Sequence, residues 1–396
     1  MGVLIVQCDN ALNLKLIERE VMNHEFVTAF VPFQGLKRFA KITHTDGPDH
    51  KNDVRNFLYH LAPVYGVMDG ENPMFNYAQE NVSTALTRDA RSMPINMTQA
   101  FHSWDKKPRL LPWSQRPITT TFPREANRRG YNIVVSVHDS GVDATHTTEF
   151  GSRVSQIYND AGDGPGTHGT GVGSIIAGAN VGFLGDATIL DSKCFSANNV
   201  GGVSQGIESL DALILWVQTN LAAGQHVLAN CSFGSTNEFG NDYAAITDDV
   251  EDEGIAMFAA SGNFGWNLDT GSNFWPAEGL LHGACGAVNA NGEHLNFSNY
   301  GSMVKLHGLG WKVPCADVGD GNYTILTGTS FGCPSVVGSY GTWATSREAP
   351  RSQSEVRQLM SDYIDFCRNG TISQRPNEQI ALATKACIAK ADTSSN

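Results

Sequence analysis

Four residues of the 396-residue chain stand where strands or helices are expected to end, and each carries a group with chemical use. Asp139 closes the apolar run NIVVSVHD within DSGVD, and the residues after it turn away, leaving a carboxylate at the carboxyl edge of a strand. His168 opens a glycine-rich helix in GTHGTGVGSIIAG. Ser330 opens another in GTSFGCPSVVG, so its hydroxyl and backbone N–H sit where a helix dipole favours negative charge. Asn263 follows the run IAMFAAS in SGNFG, with a side-chain amide to offer a developing anion. Opening an amide requires a nucleophile, a base of defined tautomer, an anion that orients the base, and donors for an oxyanion. Ser330, His168, Asp139 and Asn263 supply one each. Singly, a strand-ending Asp or a Gly-flanked His is more often a cap or an exposed side chain; their joint order and placement carry the weight.

The elements that position these residues alternate along the second part of the chain. NIVVSVHD, ATILDSKCF, HVLANCSFG, IAMFAASGN and LLHGACGAV read as strands. THGTGVGSIIAGA, SLDALILWVQTNL, AAITDDVEDE and SFGCPSVVGSYGTWATS read as helices between them. Apolar strands separated by helices predict an α/β fold, a mostly parallel sheet with helices on both faces and its site at the carboxyl ends of the strands. Further helices are expected from Ser354 to Cys367 and near Gln379 to Lys390. His138 should point to the face opposite Asp139 and serve structure. Cys333, three residues past Ser330, is read as packing.

The first 70 residues are organised differently. GVLIVQ is a strand, residues 11–24 a helix, EFVTAFVPF and LKRFAKITHT strands, residues 51–61 a helix and APVYGVMD a closing strand. This βαββαβ order predicts a small ferredoxin-like domain. From residue 70 to about 112 periodicity disappears, which reads as an extended linker lying over a surface.

The motifs around Asp139, His168, Asn263 and Ser330, in that order, resemble the subtilase (subtilisin-like) family of serine peptidases, over residues 113–346. The resemblance implies a subtilisin-like serine endopeptidase acting through an Asp139/His168/Ser330 triad and an acyl-enzyme intermediate, with Asn263 completing the oxyanion hole. It also implies a protein or peptide substrate held as an added strand against Gly201, Gly202 and Val203 and against Ser232, Phe233 and Gly234, with Ala260, Ser261 and Gly262 lining the first pocket. The small residues there predict a large apolar or aromatic side chain before the scissile bond. Three departures are evident: Gly171 stands where the family usually has a second His, SFGCP replaces Ser-Met-Ala-x-Pro, and Ser335 follows the Pro where the family often has His. By the same resemblance, residues 1–77 are a propeptide-like domain, an intramolecular chaperone and inhibitor, residues 78–112 a linker, and residues 113–396 the peptidase domain. Self-cleavage is expected near Tyr77. The rival reading is a catalytically silent subtilase fold used as a binding or structural module.

Composition bounds the partners. The formal charge of −13 belongs entirely to residues 113–396, and Lys193 is the only Lys or Arg between Val154 and Val304. A region so acidic is unsuited to nucleic acid or anionic membranes. GDGPGTHGTG lacks the GK[ST] of a phosphate cradle. No cofactor is required by the expected chemistry. Calcium is left open through Asp160 with Asp163 and Asp317 with Asp320. The usual family calcium site is expected to be absent, because Thr148 stands where a ligand Asp is common and GANVGFLGD lacks the family loop. The acidic run from Asp248 to Glu253 reads as a solvated helix face, with a cation site as its alternative. Eight scattered cysteines without CxxC, and a start without a basic leader, predict mostly free thiols and a cytoplasmic setting.

Overall fold

The computed structural model describes residues 2–8, 11–47, 49–50, 53–54 and 57–58, and the short stretches 68–69, 72–73, 83–85 and 93–95. It then describes residues 130–235, 243–270, 274–289, 293–368 and 381–382. The N-terminal elements are β1 (Gly2–Gln7), α1 (Ala11–Met22), β2 (Val27–Pro32) and β3 (Phe39–His44). They form an antiparallel sheet of order β1-β3-β2, with Leu14, Ile17 and Val21 of α1 buried against it. His50, Asp53, Val54, Phe57 and Leu58 are helical, as the expected second helix requires. The expected closing strand is described only at β4 (Met68–Asp69), which pairs with β5 (Asn72–Pro73). Tyr77 lies outside the described residues.

Two short strands of the linker pair with later parts of the chain. β6 (Ser83–Ala85) and β7 (Met93–Ile95) precede the large unit. That unit runs β8 (Ile133–Asp139), α2 (Thr147–Phe150), β9 (Val154–Asn159), α3 (Thr167–Ala177), β10 (Thr188–Lys193), β11 (Val200–Gly202) and α4 (Val203–Asn220). It continues with β12 (His226–Cys231), α5 (Tyr243–Asp252), β13 (Ile255–Ala260), β14 (Ala284–Val288) and β15 (Leu306–Leu309). The last elements are β16 (Val313–Ala316), β17 (Tyr323–Leu326), α6 (Thr329–Ala344), α7 (Gln353–Arg368) and β18 (Ala381–Leu382).

Why the sheet is parallel and central follows from its strands. Every residue of β8, β12 and β13 is buried, the signature of strands covered on both faces. Eight parallel strands stand in the order β18-β15-β14-β13-β12-β8-β10-β9. From β8 the chain builds β9 and β10 on one side, then crosses to β12 and walks outward on the other. The switch falls beside β8, so loops leaving β8, β12 and β13 open a crevice at their carboxyl ends. Helices α3, α6 and α7 bury their apolar residues on one face, and α4 and α5 on the other.

Three expectations need correction. Ala381 and Leu382 are the sheet's edge strand, paired with Leu306 and His307, where a helix was expected; an apolar run this short fits either state. The acidic run on α5 is a solvated face only in part: Asp252 is exposed and Asp248 half-exposed, but Asp249 and Glu251 are covered. Asp249 pairs with Arg38, and Arg357 of α7 bonds Glu251 at 2.6 Å and pairs with Asp248 at 2.5 Å. The third is an exception rather than a reversal: Cys8, Cys194, Cys231, Cys285, Cys315 and Cys333 are free and buried, in line with mostly free thiols, but Cys367 is disulfide-bonded.

Candidate active site

Asp139 is the last residue of β8, fully buried, and its carboxylate is aimed at α3. His168 Nδ1 donates to Asp139 Oδ1 at 2.8 Å and lies 3.0 Å from Oδ2. With Nδ1 carrying the proton, Nε2 is the basic nitrogen. The first turn of α3 reaches the strand end this closely because residue 169 is glycine: a Cβ there would lie 2.6 Å from Gly141 O and 3.1 Å from Asp139 Oδ1. Ser140 N adds a bond to Asp139 Oδ1 at 2.7 Å, and Ser140 Oγ accepts from Gly169 N at 3.1 Å. Gly171 also has a local reason. A Cβ would meet Cys315 Sγ at 2.9 Å and Leu326 Cδ1 at 3.3 Å, so the β16–β17 hairpin occupies the space a larger residue would need.

Ser330 sits in the first turn of α6, and the ring of Phe331 beside it is 5.2 Å from the His168 ring, centre to centre. Its hydroxyl donates to Ser232 O at 3.0 Å. The reverse bond has a cause in sequence. Pro334, four residues on, has no N–H to give the Ser330 carbonyl, and Ser232 Oγ supplies the donor instead at 2.8 Å. Ser232 therefore clamps the serine from both sides, a role the sequence did not reveal.

Asn263 follows β13, and its Oδ1 accepts from Thr329 N at 2.8 Å and Thr329 Oγ1 at 2.9 Å. Those two bonds fix which end of the amide is which and leave Nδ2 facing Gly328, where an added Cβ would lie 3.2 Å from it. The loop is pinned by Asn299, fully buried, whose Nδ2 donates to Ser261 O at 2.7 Å and whose Oδ1 accepts from Phe264 N and Trp266 N. Only tertiary structure brings Asn299 here, and no spacing in the sequence points to it.

Beneath the site lies Lys193, 1% exposed. Its ammonium donates to Ser140 O at 2.8 Å and Phe195 O at 2.7 Å and pairs with Asp163 at 2.9 Å. It thereby ties together the segments flanking Asp139, whose carbonyl accepts from Cys194 N and Phe195 N. The isolation of this cation in an acidic stretch was its signal. Nearby, burial pushes the Asp191 carboxyl up to about 6, against bonds from Gln156 and Val142 N. His138 faces α4, as expected, with Nδ1 2.8 Å from Ser209 Oγ, and burial lowers its pKa to about 3, so it is neutral.

Of the segments expected to touch substrate, two meet the nucleophile's helix directly, through Ser232 and through Gly262 N, which donates to Thr329 Oγ1 at 3.2 Å. Gly201 and Gly202 belong to β11, and Ser83–Ala85 runs antiparallel against it, Val200 facing Ala85, Gly201 facing Thr84 and Gly202 facing Ser83. On the far side Met93–Ile95 pairs with β17, three residues ahead of Thr329. Asp163 and Asp160 are bonded to Lys193 and Gln205, and Asp317 and Asp320 to Thr167 and Thr148. Among the described residues no group of three or more His, Cys, Asp or Glu is arranged to hold a metal ion. None of the described helices is long and apolar enough to cross a membrane.

A doubly wound parallel sheet bearing an Asp–His pair, a serine at a helix start and an oriented amide at its carboxyl edge defines an α/β protein of the serine-nucleophile type. Residues 130–375 match the Subtilase family (peptidase S8), and the chain belongs to that family. It is similar to the subtilisin-like serine protease Pen ch 13.0101 of Penicillium rubens, at 29% identity over 66% of this chain and 65% of that one. It is also similar to alkaline serine exoprotease A of Vibrio alginolyticus, at 28% identity over 73% of this chain and 51% of the relative. The chain thus spans about half to two thirds of the length of these curated relatives. Its fold matches that of a cold adapted subtilisin-like serine proteinase with a TM-score of 0.55 at 22% identity, covering 68% of this chain and 95% of the other.

Proposed function

We propose that the chain is a serine endopeptidase of proteins or peptides, with residues 1–77 as its intramolecular chaperone and inhibitor. The observation that carries the reading is the buried Asp139–His168 hydrogen bond set beside Ser330 and the oriented amide of Asn263. Ser330 Oγ attacks the substrate carbonyl carbon and passes its proton to His168 Nε2. Asp139 holds the imidazole in that tautomer and stabilises the imidazolium. The charge on the carbonyl oxygen is received by Asn263 Nδ2 and Ser330 N–H. His168 then protonates the leaving amine; in the second half the same imidazole takes a proton from the attacking water and returns it to Ser330 Oγ as the acyl-enzyme bond breaks.

The pairing of Ser83–Ala85 with the Gly201–Gly202 edge, and of Met93–Ile95 with β17, supports an inhibitory role for the N-terminal part. The residues joining the two strands are LTRDARS, 86–92. The pairing on both sides favours self-cleavage within 86–92 over a bond near Tyr77. N-terminal sequencing tests this: a mature chain beginning within 87–93 in wild type, and an intact chain in Ser330→Ala, is the expected pair of results. A serine-directed fluorophosphonate tests the chemistry. An adduct on Ser330 that is lost in His168→Ala supports it, and no adduct in protein freed of its N-terminal part points to a silent module.

A further inference from the structure

On the peptidase reading, the side chain preceding the scissile bond sits between residues 232–234, which follow β12, and residues 260–262 at the end of β13, two strands that pair in parallel. Both segments hold a glycine, and the space those glycines leave is already filled. A Cβ on Gly234 would overlap Cε1 and Cζ of Phe274 and lie 2.8 Å from Cδ1. A Cβ on Gly262, where φ is +102°, would lie 3.1 Å from the same Cε1 and Cζ. One edge of one ring therefore touches both walls, and Phe274 is 1% exposed.

The ring is also held in place. Its neighbours Ser235 and Trp275 exchange backbone bonds at 2.9 and 3.1 Å, anchoring the Phe274 main chain alongside Gly234. Phe274 N donates to Glu278 Oε2 at 2.8 Å. Phe264, next to Asn263, packs edge-on against Phe274 with ring centres 5.9 Å apart and stacks on Trp266 at 4.4 Å. A fixed phenyl ring between two glycine walls is a floor that a bulky side chain cannot displace without unpacking this aromatic group.

We infer that Phe274 is a specificity-determining residue that closes the pocket for the side chain preceding the scissile bond, restricting it to small residues such as Ala, Ser or Thr. The inference rests on the peptidase reading above, and it reverses the expectation of a large apolar or aromatic residue, which counted the small wall residues but not the ring lodged between them. The stretch 86–92 offers Thr87, Ala90 and Ser92 as small side chains for such a pocket.

The test is kcat/KM for two peptides identical except for Ala or Phe before the bond, on wild type and Phe274→Ala, with active sites counted by fluorophosphonate labelling of Ser330. Wild type should favour the Ala peptide by 10-fold or more. Phe274→Ala should raise the Phe/Ala ratio of kcat/KM at least 10-fold. Labelled, active wild type that prefers the Phe peptide, or a labelled Phe274→Ala whose ratio does not move, overturns the inference and leaves the peptidase reading standing. Absent labelling and cleavage in wild type freed of its N-terminal part sinks both. Because Phe274→Ala removes a buried ring, Phe274→Leu and cleavage of a wild-type peptide library are run beside it. Large aromatics dominating the wild-type profile reject the inference even if neither variant folds, and small residues dominating it support the inference.

Discussion

Each group at the site has a separable cost when removed. Ser330→Ala or His168→Ala should lower kcat by roughly 10⁴- to 10⁶-fold, since the triad acts as a unit. Asn263→Ala should lower kcat by roughly 10²- to 10³-fold with KM nearly unchanged, because its amide serves the oxyanion and not the ground state. Steady-state kinetics on one peptide, normalised to folded protein, separates the two. Asp139, His168, Asn263 and Ser330 stood out in the sequence because glycines beside them are demanded locally, by the close approach of α3 to Asp139 for instance. Asn299, Ser232 and Phe274 were not, because their roles arise only when loops distant in sequence meet. Asp191 adds a titration at this scale. Its carboxyl is raised to about 6 in the folded chain, so between about pH 4 and pH 6 the unfolded state loses its proton first and stability falls as pH rises. At pH 8 the folded protein bears a burial cost on the order of 3 kcal/mol that is absent at pH 4. Asp191→Asn should therefore gain stability relative to wild type at pH 8 compared with pH 4. Equal differences by denaturant unfolding at the two pH values would reject this assignment.

At the scale of elements, α6 depends on a bond from outside itself. Its fourth residue after Ser330 is a proline, and Ser232 Oγ replaces the missing donor. Ser232→Ala should cost about 1 kcal/mol in stability, and more in kcat than in KM, since the clamp fixes the nucleophile and not the substrate. The α5–α7 contact is similar in kind. Glu251 is 2% exposed and relies on Arg357, so Arg357→Met should destabilise the fold by about 1 to 3 kcal/mol, the arginine being partly solvated. Long apolar runs such as β8 and β13 announced themselves in the sequence. The four-residue strands β15, β16 and β17 did not, because LHGL and VPCA carry Gly or Pro and too few residues to show a period.

Over the whole molecule, the N-terminal sheet is docked on the helices of the other face. Ile5, Phe33, Leu36 and Phe39 share a buried cluster with Ile207, Leu210 and Ile214 of α4. Asp211 receives the N–H groups of Gln34, Gly35 and Leu36 at 3.1, 2.6 and 2.7 Å, and Lys41 pairs with Glu208 at 2.8 Å. The charge division along the chain thus has a structural use: the cations of a neutral N-terminal part meet carboxylates of the acidic part, and one carboxylate, Asp211, caps a turn. The turn's N–H groups are partly buried, so losing their acceptor costs about 2 kcal/mol, roughly 30-fold in affinity. Under the proposed inhibitory role of the N-terminal part, Asp211→Ala in a chain cleaved within 86–92 should therefore weaken its inhibition by about that factor, with catalytic constants of the freed enzyme unchanged. Added salt should weaken inhibition further in both proteins, because the Arg38–Asp249 and Lys41–Glu208 pairs are partly exposed. Inhibition unaltered by Asp211→Ala would mean that the apolar cluster and the strand at β11 hold the inhibitor alone. A change in kcat of the freed enzyme would place Asp211 in the support of the catalytic unit instead.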